Sequence, residues 1–349
     1  MESSIAPPID TRQIDRRTPQ PKVAREVWKQ ELADAVRDPS ELCDLLNLDS
    51  VVAEKAKKAN RDFPLLVPRG FISRMRPGDL NDPLLLQVLP RLEELDDVPN
   101  FVSDPVGEQA ARQGTGLIQK YHGRCLLLVT SGCAVNCRYC FRREFPYAES
   151  GASPSSFAAA VGKVALDSSI QEVILSGGDP LLVDDDLLED LIKKLASIPH
   201  VQRLRIHSRL PVVLPSRITE HFLRIMNETR LTVCLVIHSN HAAELDSTVA
   251  ESLKKLGQAV GLRFNQAVLL RGVNDTAESL IQLSEQLLNL GVTPYYLHLL
   301  DPVRGASHFD VPEATGIRLV EELRNRLPGY AVPRLAREHP GSPSKTWLA

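Results

Sequence analysis

The chain has 349 residues, 43% of them apolar, and a formal net charge of −3. That balance supplies a large core, gives no electrostatic pull toward nucleic acid and leaves no run of eighteen apolar residues to cross a membrane. The first eight residues, Met1 to Pro8, lack the basic and apolar stretches of a secretory signal. Six cysteines, three of them clustered, suit a reducing cytoplasm better than a disulfide framework.

Residues 1–22, rich in Pro, Ser, Gln and charge, read as a poorly ordered tail. From Ala24 the apolar residues Val27, Trp28, Ala33 and Val36 take helical spacing. Asp38-Pro39-Ser40-Glu41 reads as the cap of a second helix carrying Leu42, Leu45 and Leu46. Prolines between Phe63 and Asp104 leave room only for short helices, such as Pro83 to Val88. Residues 23–115 are therefore expected to form a helical, loop-rich N-terminal region, and residues 116–349 a second unit. In that unit apolar, β-rich runs occur at 125–129, 172–175, 203–207, 231–237, 262–269 and 294–300. Amphipathic stretches follow them. Asp186 to Ile198 puts Leu187, Leu188, Leu191, Ile192 and Leu195 on one face. Asp275-Thr276-Ala277-Glu278 caps a helix carrying Leu280, Ile281, Leu287 and Leu288, which Gly291 ends. Strands alternating with helices about every thirty residues imply βαβ units on a parallel sheet. Six such units give an α/β fold, a partial (β/α)6 TIM-type barrel whose site lies at the C-terminal ends of the strands.

A cysteine-rich loop falls at such an end. Cys133, Cys137 and Cys140 form a C-x₃-C-x₂-C array directly after the first strand. Three thiolates can hold a [4Fe–4S] cluster and leave its fourth iron open to an amine and a carboxylate, which S-adenosylmethionine offers. A structural zinc site is the rival reading, but it needs four closed ligands and no second pair follows. Cys43, Cys125 and Cys234 lie in apolar segments and read as core residues. The second strand ends in Ser176-Gly177-Gly178-Asp179, a turn that lets backbone approach a ligand closely.

The cysteine array resembles the signature of radical S-adenosylmethionine enzymes. Further stretches narrow the likeness to the lysine 2,3-aminomutase family. They are Asn81-Asp82-Pro83, Asp104 to Glu108, Lys120 to Arg124, Ser208 to Pro215, His238 to His241, Asn265 to Asp275, Leu300-Asp301-Pro302 and His308-Phe309. The resemblance implies a partial barrel, a [4Fe–4S] cluster on the three cysteines, S-adenosylmethionine and pyridoxal 5′-phosphate. It implies that Ser176, Gly177, Gly178 and Asp179 help hold S-adenosylmethionine, and that Ser208, His238 and Gln266 also bind cofactor. Lys345 is implied as the lysine that carries pyridoxal phosphate. Lys120 and Arg124 are implied as partners of its phosphate, and Tyr121 as a ring stacked near its pyridine. Arg142 is implied to meet the substrate carboxylate, and Asp301 with Glu338 the distal ammonium, which selects free L-lysine. The implied reaction moves the α-amino group to the β-carbon after a 5′-deoxyadenosyl radical removes hydrogen, with an electron-donating reductant protein as partner. The chain stops four residues after Lys345, and this short form resembles the branch that supplies (R)-β-lysine for modification of elongation factor P. The other readings are a radical S-adenosylmethionine enzyme acting on another amino acid or without pyridoxal phosphate, and a non-enzymatic iron–sulfur or zinc sensor or binding module.

Overall fold

The computed structural model describes residues 26–114, 116–147 and 157–349; the expected tail, 1–22, lies outside them. The sheet consists of β1 (Leu117–Ile118), β2 (Arg124–Thr130), β3 (Glu172–Gly177), β4 (Arg203–Ser208), β5 (Thr232–Ile237), β6 (Leu262–Val268), β7 (Thr293–His298), β8 (Arg334–Arg337) and β9 (Thr346–Trp347). These strands stand in sequence order. Strands β2 to β8 run parallel, and β1 and β9 pair antiparallel at the two edges. Side chains alternate across each strand. Leu127, Val173, Leu175, Leu204, Ile206, Leu235 and Leu297 pack with helix residues such as Leu188, Leu191, Leu253 and Leu287 in one core. Arg124, Leu126, Ile174, Ser176, Arg205, His207, Gln266 and His298 instead line a central cavity.

All six expected strands are present, and β8 adds a seventh parallel one. It pairs Tyr296 with Arg334 and His298 with Ala336. Its four residues, Arg334-Leu335-Ala336-Arg337, carry too much charge to read as a buried strand. The C-terminal segment is likewise no free tail: Trp347 pairs with Ala336 and Thr346 with Arg337, which fixes Lys345 at the start of β9.

The N-terminal region contains helices Val27–Ala33, Pro39–Leu45, Ser50–Ala59 and Arg69–Ile72. The second is capped as expected, with Asp38 accepting from the Ser40 N–H. The first differs from expectation. Val27 faces solvent, and Val36 lies beyond the helix end, bridged to Val67. The turn expected at Pro83 to Val88 shrinks to a 3-10 helix, Leu85–Gln87, preceded by Asp82, which accepts from the Leu84 and Leu85 N–H groups. In the barrel, helix Asp185–Ala196 buries Leu188, Leu191, Ile192 and Leu195, while helix Ala277–Asn289 is capped by Thr276. Trp28, Phe71 and Leu85 share one continuous core with the barrel. Cys43 and Cys125 are buried, as expected of core residues, whereas Cys234 is half-buried.

Candidate active site

The cysteine loop leaves the end of β2 and is held from outside the barrel. Asn136 donates its backbone N–H to Leu66 O (3.0 Å) and its side-chain amide to Pro64 O (2.8 Å). Arg138 is fully buried between the second and third cysteines. It forks onto Glu94 through Nε (2.9 Å) and Nη2 (2.5 Å) and donates Nη1 to Phe63 O (2.6 Å). Arg143 reaches the same carboxylate at 2.7 Å. Glu94 thus compensates two buried guanidinium groups, an arrangement that tolerates no loss of the acid.

The loop's other support is the glycine turn. The Gly178 N–H donates to Thr130 O and the Asp179 N–H to Gly132 O, both at 2.7 Å. A Cβ on Gly177 (φ 127°) would sit 2.4 Å from Thr130 O, and one on Gly178 2.0 Å from Gly132 O. These glycines therefore dock the cysteine loop onto the end of β3, a close approach to backbone that only glycine allows. Asp179 turns its carboxylate to the end of β4. It accepts from Ser208 Oγ and the Arg209 N–H at 2.7 Å and from the Leu181 and Leu210 N–H groups at 3.1 and 3.3 Å. Burial nevertheless pushes its carboxyl up to about 6.

Every candidate site residue named from the sequence lies on the wall of one cavity of about 780 Å³ inside the barrel, Cys133, Cys137 and Cys140 among them. Burial and the nearby Cys140, Asp179 and Cys137 push the Cys133 thiol well up, and burial with Cys137 pushes Cys140 up to about 11. Cys133 and Cys140, which resist ionising alone, become ligands once a positive centre reverses the sign of that field.

A chain of charges also lines the cavity. Glu338 accepts from Lys120 Nζ (2.6 Å) through Oε1 and from Lys345 Nζ (3.1 Å) through Oε2. Burial works against its carboxylate, but Lys345 and Lys120 hold its pKa below the usual value. Lys120 also donates to Val106 O (2.8 Å), so its ammonium is engaged with the acid and with that carbonyl. Arg124 stacks on the Tyr121 ring at 4.8 Å. Asp301 is half-buried, and loss of solvent around its carboxyl raises it to about 7 even against the Lys345 ammonium. Arg142 differs most from expectation. Nε and Nη2 fork onto Glu108 at 2.7 and 2.6 Å, and Nη1 donates to Ser176 Oγ (2.9 Å) and Gly177 O (3.0 Å). Four of its five N–H groups are thereby taken, which leaves one on Nη2 for a ligand.

Neutral imidazoles complete the wall. Burial lowers His238 to about 3 and holds His207 and His298 well below the usual range. Gln266 Nε2 lies 3.1 Å from His238 Nε2. His207 Nε2 and His298 Nε2 are buried with no partner among the described residues, which marks ring nitrogens made for a ligand. These two histidines, together with Glu108, Glu94 and Arg209, are positions in or around the site that sequence reasoning did not single out. The available signal was position: His207 and His298 sit at the C-terminal ends of two expected strands.

Seven parallel strands, a cysteine triad beyond the first of them, and a cavity that this triad lines define a radical S-adenosylmethionine enzyme. Residues 113–203 match a family model described as a 4Fe–4S single cluster domain. The chain is 48% identical over 326 residues to the L-lysine 2,3-aminomutase of Escherichia coli (strain K12), covering 93% of this chain and 95% of the relative. It is 45% identical over 333 residues to the enzyme of that name from Haemophilus influenzae (95% and 98% covered). Against that from Clostridium subterminale it is 34% identical over 320 residues (91% and 77% covered). The chain belongs to the L-lysine 2,3-aminomutase family, isomerases that use a [4Fe–4S] cluster and S-adenosylmethionine. No helix among the described residues is long and apolar enough to cross a membrane.

Proposed function

We propose that the protein converts free L-lysine to (R)-β-lysine by 2,3-amino migration, using pyridoxal 5′-phosphate together with the cluster and S-adenosylmethionine. The observation that carries this reading is a single cavity lined by three cysteines and by Lys345, Glu338 and Asp301. When bound, the cluster and S-adenosylmethionine supply a carbon radical, and pyridoxal phosphate supplies an aldehyde and a π system for the migrating nitrogen. The residues present suit these groups. Cys133, Cys137 and Cys140 hold iron, while Lys345 offers the amine for the aldehyde and Arg124 a cation for the phosphate. Asp301 and Glu338 give two carboxylates for one distal ammonium, and Arg142 keeps one N–H for the α-carboxylate. His207, His238 and His298 stay neutral and orient rather than exchange protons near neutrality. Burial of this set keeps water from a reactive carbon radical.

Lys345 Nζ stands on Glu338, one of the carboxylates assigned to the ligand's ammonium. Engaging that amine elsewhere frees the acid, so cofactor loading and lysine binding reinforce each other. The resemblance to the short-form branch is what supports a β-lysine that serves elongation factor P. One electron per activation comes from a separate reductant protein in the cytoplasm. The deciding experiment is anaerobic incubation of iron-reconstituted protein with S-adenosylmethionine, pyridoxal phosphate, dithionite and L-lysine, followed by chiral analysis. Accumulation of (R)-β-lysine is the expected result. Consumption of S-adenosylmethionine without any β-lysine would transfer the activity to another amino acid.

A further inference from the structure

Beside the cysteines lies a buried cation to which the reaction assigns no role. Arg209 follows β4, and its side chain is only 6% exposed. Nη1 donates to Cys137 Sγ at 2.7 Å, while Nη2 donates to Gln87 Oε1 at 2.7 Å and Glu244 Oε2 at 3.0 Å. Its backbone N–H is fixed by Asp179, and Phe71 and Tyr139 flank the guanidinium at 5.5 and 5.6 Å. Glu244 is fully buried and equally fixed. Its other oxygen accepts from Gln87 Nε2 and from the backbone N–H groups of Asn240 and His241. The result is a rigid dipole, positive toward Cys137 and negative away from it. Glu244 alone would compensate the charge, so neutralisation does not require the bond to sulfur. Arg209 Nε adds a buried donor with no partner among the described residues, in a side chain that forms part of the cavity wall.

We propose that Arg209 is a positioning residue that sets the reduction potential of the iron–sulfur cluster through its N–H bond and positive charge at Cys137, with Glu244 as the opposing charge. The proposal rests on the cluster reading above. A [4Fe–4S] centre on three thiolates is already negative when oxidised, and the single electron from an external donor makes it more so. A cation and a donor at a ligating sulfur stabilise the reduced form more than the oxidised one and so raise the potential. A buried anion behind that cation lowers it again. The two partners therefore act in opposite directions, which a purely structural pair would not do.

The test is an anaerobic titration of the reconstituted full chain with dithionite, followed by electron paramagnetic resonance, with iron per chain measured alongside. Glu244→Gln is close to isosteric and should shift the midpoint to a less negative value. The pair Arg209→Met with Glu244→Gln, which leaves no buried charge unpaired, should shift it below that of the unsubstituted protein. Iron content close to the unsubstituted level in Glu244→Gln with an unchanged midpoint would overturn the proposal, as would shifts of the same sign in both variants. Should the pair lose its iron, the single variant still decides. A protein that takes up no cluster before any substitution would instead refute the cluster reading itself.

Discussion

Burial holds the Asp301 carboxyl at about 7 against the pull of Lys345 and Lys120, with Glu338 and Glu108 as the acids that add to the rise. Near neutrality the group is thus divided between acid and carboxylate. A ligand ammonium binds the carboxylate, so binding lowers this pKa and releases a proton, and lysine affinity must increase as pH rises through about 7. Calorimetry of the cofactor-free protein, in which Lys345 keeps its ammonium, should show the increase across that range, and Asp301→Asn should flatten it. Losing one partner of a buried charge pair costs about 2–5 kcal/mol. Because lysine would also be misplaced, turnover should fall by orders of magnitude while S-adenosylmethionine still binds. For Lys345→Met the expected loss is different. The β9 pairing is made by backbone, so the fold should persist, but borohydride should no longer fix pyridoxal phosphate to the chain. Mass spectrometry reads this directly, and a persistent adduct would place the cofactor on another lysine. Arg142 shows what residue-level reading of a sequence misses. Its forked group was legible as a carboxylate binder, yet the carboxylate it forks onto is Glu108, 34 positions away. Nothing local in the sequence announces that pairing.

The cysteine loop depends on two elements that flank it, and each can be broken separately. Glu94 lies in the 3-10 helix Leu92–Leu95 and compensates both Arg138 and Arg143. Glu94→Gln would leave two guanidinium groups buried against a neutral amide, and breaking a buried pair costs about 3–5 kcal/mol. Iron uptake and melting temperature should therefore fall together. Normal iron content in this variant would mean that the loop is organised by the barrel alone. On the other side, Gly178→Ala would drive a methyl into Gly132 O, and the cysteine loop has to move to admit it. Loss of iron is the expected outcome, with Gly261→Ala as control, since a methyl there meets nothing within 4 Å. The role of the two glycines was legible only in part. Their spacing from the cysteines signalled a close approach at the strand end, but the group approached is the loop's own backbone. The grip of Phe63, Pro64, Leu66 and Glu94 on the loop could not be read at all, because irregular, proline-rich segments carry no periodicity to reveal their partners.

Across the molecule, the strands legible in the sequence were those long and apolar enough to stand out, from Cys125-Leu-Leu-Leu-Val129 to the run before Leu300. β8 escaped because two of its four residues are arginines, and β1 and β9 because two residues make no pattern. The division at residue 115 was drawn from a change of composition. Side-chain packing crosses it, since Trp28 lies under Arg217 at 5.0 Å and Lys29 pairs with Asp184 at 2.5 Å. The region before 115 also grips the cysteine loop through Glu94. From this we expect the N-terminal helices and the barrel to unfold together, although chains of this length often populate intermediates. The chain has two tryptophans, Trp28 and Trp347, and Trp347→Phe leaves only the buried one as a fluorescent reporter. In iron-free Trp347→Phe protein, the guanidinium midpoint from Trp28 fluorescence should coincide with that from far-ultraviolet circular dichroism, which follows the barrel helices. A fluorescence midpoint at clearly lower denaturant would show the N-terminal helices detaching first. Their packing under Arg217 would then be a contact between two separately stable units, and the grip on the cysteine loop would be lost before the barrel opens.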